Sequence, residues 1–88
     1  MNIQNIQTKI QEEPNPKLRR HMLRILETLL ELKEFCSPEL FQKYIQYDIV
    51  QLEKQIPRLN YKLGGVYRSD YFRKNIEVCK LVLDAESF

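Results

Sequence analysis

"PKLRRHMLRILETLLELKEFCSPEL", Pro16 to Leu40, decides the fold class, because it holds one long apolar helical repeat and the signal that starts a second. Asn15 before Pro16 is a helix start: the Asn side chain caps free amides, and proline is tolerated in the first turn. Leu18, Met22, Ile25, Leu29, Leu32 and Cys36 then follow at spacings of 4, 3, 4, 3 and 4, the rhythm of a helix–helix seam, which predicts a helix from about Pro16 to Cys36. Leu23, Leu26 and Leu30 form a second stripe beside the first. Together the stripes cover roughly half the circumference at about 100° per residue, so the helix should touch two neighbours, one of which could be another chain.

"CSPEL" repeats the start signal, with Ser37 as cap, Pro38 in the first turn and Glu39 near the positive end of the helix dipole. A connection this short folds two helices back as an antiparallel hairpin. The second helix, about Pro38 to Gln55, is expected to bury Leu40, Phe41, Tyr44, Ile45, Leu52 and Ile56, with Tyr47 at the edge of that face. Ile49 and Val50 fall off its centre. With Leu23, Leu26 and Leu30 they are the expected face for self-association or for a partner helix.

Pro57 disfavours helical geometry at Ile56 and supplies no amide hydrogen, so it should end this helix. A short helical turn from Pro57 to Leu63, capped by Gly64, is the first reading of the next segment. A hairpin around Gly64-Gly65 is the alternative, since Leu59, Tyr61 and Leu63 also alternate. Ser69-Asp70 offers a cap for a last helix reaching about Asp84, with Phe72, Ile76, Cys79 and Leu83 along it and "AESF" frayed beyond. At the other end, Ile3, Ile6 and Ile10 mark a short, weakly anchored helix or tail. The expectation is an all-α domain: a small helical bundle of an antiparallel helical hairpin plus a third helix. Residues 1–13 would be an N-terminal helical tail and residues 14–88 a single helical domain.

With 88 residues, any core is small and close to the stability threshold. Apolar residues at 43% still exceed what a disordered chain carries. Cys36 and Cys79 lack CxxC spacing and sit in apolar helical patterns, which fits reduced thiols; a Cys36–Cys79 disulfide is the other option. No run approaches the roughly 18 apolar residues of a membrane span, and the N-terminal segment lacks the apolar stretch of a signal peptide. A soluble, cytoplasmic protein is expected.

Chemistry-bearing clusters are sparse. The single histidine, His21, stands among Arg19, Arg20 and Arg24 and reads as a solvated surface residue, and no zinc-type ligand set can be assembled. Glu27, Glu31 and Glu34 read as a solvated helix face. Gly64-Gly65 matches neither GxxxxGK[ST] nor GxGxxG. No catalysis, cofactor or small-molecule substrate is expected.

Charge is uneven, however. Between positions 54 and 74, Lys54, Arg58, Lys62, Arg68, Arg73 and Lys74 face only Asp70, although the net charge of the whole chain is +2. Tyr61, Tyr67, Tyr71 and Phe72 interleave with them, a composition suited to an acidic protein surface or to phosphate contact with base stacking. The candidate patch is therefore Arg58, Tyr61, Lys62, Tyr67, Arg68, Arg73 and Lys74, extended by Arg19, Arg20 and Arg24 if the helices bring them alongside. The expected function is a non-catalytic protein-protein interaction module, a small adaptor or regulatory subunit acting as a homodimer or in a hetero-complex. A nucleic-acid-binding protein using residues 54–74 is the alternative.

Overall fold

The computed structural model describes residues 2–86. Four helices and one minimal hairpin succeed one another: α1 (Ile3–Gln11), α2 (Pro16–Phe35), α3 (Pro38–Gln55), a 3₁₀ turn (Ile56–Arg58), β1 (Lys62–Leu63), β2 (Val66–Tyr67) and α4 (Arg68–Glu86). The fold is a small all-α bundle. No described helix is long and apolar enough to cross a membrane.

The caps fall where side-chain chemistry puts them. Asn15 accepts hydrogen bonds from the amides of Lys17 (2.9 Å) and Leu18 (3.3 Å), and Ser37 accepts one from the amide of Leu40 (3.2 Å). Each is followed by proline at a helix start, where the missing amide hydrogen costs nothing. Cys36 and Ser37 thus suffice to turn the chain from α2 into α3.

The core runs through Ile6, Ile10, Met22, Leu26, Leu29, Phe41, Ile45, Ile49, Leu52, Ile76, Val78, Cys79 and Val82. Helix α4 is its centre: it packs extensively on both α2 and α3, which touch each other only lightly. The hairpin of α2 and α3 is therefore splayed, and the last helix fills the gap. Within the chain, α2 packs on α1 as well as on α4. Ile6 and Ile10 are buried against the body, so α1 is anchored more firmly than its polar sequence suggests.

Three expectations are revised. Residues 62–67 form the hairpin rather than a helical turn: Lys62 pairs with Tyr67 and Leu63 with Val66, and Gly64 and Gly65 take φ of 61° and 84°. Positive φ at both loop positions is the requirement of a type I′ turn, which two glycines meet without steric cost. Second, α4 begins at Arg68, so Ser69 lies inside its first turn instead of capping it. The hairpin itself does the capping, because the Tyr61 carbonyl accepts the Arg68 amide hydrogen at 2.8 Å. Third, α4 continues past Asp84 to Glu86; Ser87 and Phe88, the end of the stretch expected to fray, lie outside the described residues.

The buried face of α3 is also rotated from the expected one. Phe41, Ile45, Ile49 and Leu52 enter the core, while Leu40, Tyr44, Tyr47 and Val50 face solvent. Apolar side chains occupy most of this helix's circumference, so periodicity alone does not choose between two nearly opposite faces. Packing selects the aliphatic and phenylalanine line and leaves Tyr44 and Tyr47 45% and 65% exposed.

Candidate functional site

Two surfaces stand out, one basic and one apolar. The basic one is a groove of about 360 Å³ between α2 and the hairpin, lined by Lys17, Arg20, His21, Arg24, Leu63, Gly64 and Tyr71. Lys17, Arg20, His21 and Arg24 stand at i, i+3, i+4 and i+7, which puts them on one face of α2. The Lys17 ammonium donates to the carbonyl oxygen of Gly64 and so ties the hairpin tip to that face. A neutral carbonyl leaves the lysine charge uncompensated.

His21 is half-buried rather than a solvated surface residue. Its ring stands edge-on to Tyr71, centroids 5.1 Å apart at 86°, and its Nε2 is buried without a hydrogen-bond partner among the described residues. Burial, then the nearby Arg68 and Arg24 guanidiniums, hold its pKa below the ordinary histidine value, against a smaller opposing pull from the Tyr71 backbone. The imidazole is thus neutral at neutral pH, and the arginines carry the positive field of the groove.

The structure sorts the candidate basic residues into free and engaged. Arg20 and Arg24 are exposed and reach the groove, and neither is in an ion pair among the described residues. Arg68 lies with its guanidinium carbon 5.3 Å from the Phe72 ring centroid, and Lys62 with its ammonium 5.0 Å from that of Tyr67. Arg58 is exposed at the end of the 3₁₀ turn. Tyr61 and Tyr67 stand out from the hairpin, 52% and 47% exposed.

Three expected members are engaged elsewhere. Lys74 bridges Glu13 (2.7 Å) and Glu77 (3.1 Å), joining α4 to the α1–α2 connection. That hydrogen bond to Lys74, foremost, and the Asn15 amide, next, hold the Glu13 carboxyl below its ordinary pKa. Arg73 pairs with Asp70 at 3.1 Å. Arg19 turns toward the connection too, donating through Nε to the Glu13 carbonyl at 3.1 Å and through Nη2 to that of Pro14 at 3.5 Å. Side chains one apart on a helix diverge by about 100°, which separates Arg19 from Arg20.

The apolar surface is the outer face of α3. Leu40, Tyr44, Tyr47 and Val50 are 56%, 45%, 65% and 46% exposed, and Phe35, at the end of α2, is 85% exposed. Of the residues expected to form an association face, only Val50 belongs here. Leu26 and Ile49 are buried in the core, and Leu23 and Leu30 are half-buried against it. The α2 stripe is consumed by α1 and α4, the latter a helix distant in sequence.

Cys79 is buried, its Sγ 3.7 Å from Asp48 Oδ2 and 3.6 Å from Asn75 Oδ1. Burial foremost, with the Asp48 carboxylate second, pushes the thiol up to about 12, so it is held protonated. Cys36 is half-buried, and both thiols are free. No cluster of His, Cys, Asp and Glu among the described residues is arranged to hold a metal ion. Comparison with protein families, with curated proteins and with solved structures yields no match, so both surfaces are read from their own geometry.

Proposed function

We propose that this chain is a non-catalytic protein-protein interaction module of the cytoplasm, a small adaptor or regulatory subunit that pairs with a second copy of itself through the outer face of α3. The observation that carries this reading is the stripe Leu40, Tyr44, Tyr47 and Val50, which lies nearly opposite the buried line Phe41, Ile45, Ile49 and Leu52 on the same helix. A helix apolar on two opposed faces buries only one of them in the monomer. Tyrosine supplies large contact area at low entropic cost while remaining soluble when uncovered.

A second copy is the partner proposed for this face. Two α3 helices crossed antiparallel about Tyr47 place Tyr44 over the partner's Val50 and bring Glu39 toward the partner's Lys54, with the two Tyr47 side chains at the centre. Such a contact is isologous and closes at two. Four partly exposed side chains make a small contact, which fits a reversible dimer. Free thiols at Cys36 and Cys79 fit a reducing compartment.

Sedimentation equilibrium tests the proposal. Mass is expected to rise from 10.7 kDa toward twice that value with concentration. Tyr47→Glu should hold the chain monomeric with unchanged helical circular dichroism, because this side chain is 65% exposed in the monomer. A chain that stays monomeric at every concentration, or a Tyr47→Glu variant that dimerises like the wild type, refutes the α3 contact.

A further inference from the structure

We infer that the groove between α2 and the hairpin is a contact surface for a single nucleic-acid strand, separate from the α3 face. Three observations combine. First, Lys17, Arg20 and Arg24 line the groove with no carboxylate among its lining residues, and Arg68 lies close enough to depress the His21 pKa. Lys74, by contrast, is matched by Glu13 and Glu77, and Arg73 by Asp70. A concentration of uncompensated positive charge favours a ligand that brings its own repeated negative charge.

Second, the charges flank aromatic surface. The aromatic residue that lines the groove itself is Tyr71; Tyr67 shares with Lys62 the hairpin face opposite Leu63, and Tyr67 and Tyr61 are each about half exposed beside the groove. Lys62 sits over one face of the Tyr67 ring, a cation placed to meet a phosphate, and leaves the ring's other face for a base. Guanidiniums for phosphates next to open tyrosine rings are the ingredients of single-strand recognition, since every base presents a π-face that a duplex keeps stacked inside.

Third, the platform is held in place. The Lys17 bond to the Gly64 carbonyl, the Tyr61–Arg68 backbone bond of 2.8 Å and burial of Val66 fix the hairpin against α2 and α4. A pre-positioned platform spares a ligand the entropy of ordering it. An acidic polypeptide would satisfy the charges, yet it would leave the tyrosine rings without a flat partner.

The test is fluorescence polarisation of the full chain with a fluorescein-labelled oligouridylate, at about 50 mM and about 200 mM salt. Three or four strand phosphates held by Lys17, Arg20, Arg24 and Arg68 predict a log–log salt slope of roughly −2 to −3. Arg20→Glu with Arg24→Glu, both exposed positions, should abolish detectable binding while circular dichroism is unchanged. Tyr67→Ala should weaken it at least about fivefold, the smallest effect expected for one stacked base. A duplex of the same length should bind more weakly, and inorganic phosphate or poly-glutamate should compete poorly. Absence of binding at the lower salt overturns the inference. So does equal affinity for poly-glutamate or for the duplex, or an unaltered affinity in the Tyr67 variant. Because the α3 face is not involved, Tyr47→Glu should bind the strand as the wild type does, which keeps failure of this inference distinct from failure of the dimer.

Discussion

Replacing Ile10 by alanine tests whether α1 belongs to the folded body. Ile10 is 0% exposed, packed where α1 meets α2 and α4. The change removes three carbons, each worth about 0.8 kcal/mol of transfer free energy when fully buried, or roughly 2.4 kcal/mol. Partial collapse of the space left behind adds to this, and measured truncations of buried isoleucine cost about 2–5 kcal/mol in all. About 3 kcal/mol is therefore expected. For a domain of this size that lowers Tm by roughly 12–24 °C. Urea unfolding followed by far-ultraviolet circular dichroism is the assay, with Ile3→Ala as the control, since Ile3 is 38% exposed and should lose only about 1.5 kcal/mol. If Ile10→Ala unfolds within about 0.5 kcal/mol of wild type with the same dependence on urea, then α1 is a detachable tail and its burial contributes nothing to stability.

Single contacts give further expected outcomes. Gly65→Ala places a Cβ in open space, so its whole cost is the left-handed backbone at φ 84°, about 1–2 kcal/mol, measurable as a lower urea midpoint. Gly64→Ala should cost more, because its Cβ would stand 3.1 Å from the Lys17 ammonium that holds the hairpin. Glu13 has a folded pKa below its ordinary value of 4.5, so its stabilisation is complete above that value and is lost as pH falls through the folded pKa. Glu13→Gln should therefore destabilise at pH 7 and converge with the wild type in strong acid; parallel pH profiles would show that the Lys74 contact is energetically silent. A Cys79 thiol at about 12 leaves roughly one thiolate in ten thousand at pH 8, so a disulfide reagent should label Cys36 first and Cys79 only on unfolding. Equal labelling rates in the native protein would contradict the buried environment.

Much of the architecture is written locally. Asn15-Pro16 and Ser37-Pro38 mark helix starts through hydrogen bonds to amides two or three residues away, so no distant part of the chain need be known. The seam spacing in α2 and α4 is similarly local, as is the common face of Lys17, Arg20, His21 and Arg24. The interleaving of cations and tyrosines in residues 54–74 is likewise visible in the sequence.

Each choice made by a distant neighbour is left open by the sequence alone. Both faces of α3 satisfy helical periodicity, and only the arrival of α4 settles that Ile49 is buried and Tyr47 is not. Arg73 and Lys74 look as free as Arg20 and Arg24 until Asp70 and Glu13 are placed beside them. Gly64-Gly65 suits a helix cap or a type I′ turn, and the hairpin prevails where the Tyr61 carbonyl caps α4 and Lys17 grips the tip. By itself, then, the sequence determined the helices, most of their starts and the composition of the basic segment, because those rest on interactions within a turn or two. The tertiary structure alone decided which faces and charges remain available to a partner, because burial and ion pairing depend on residues far apart in the chain.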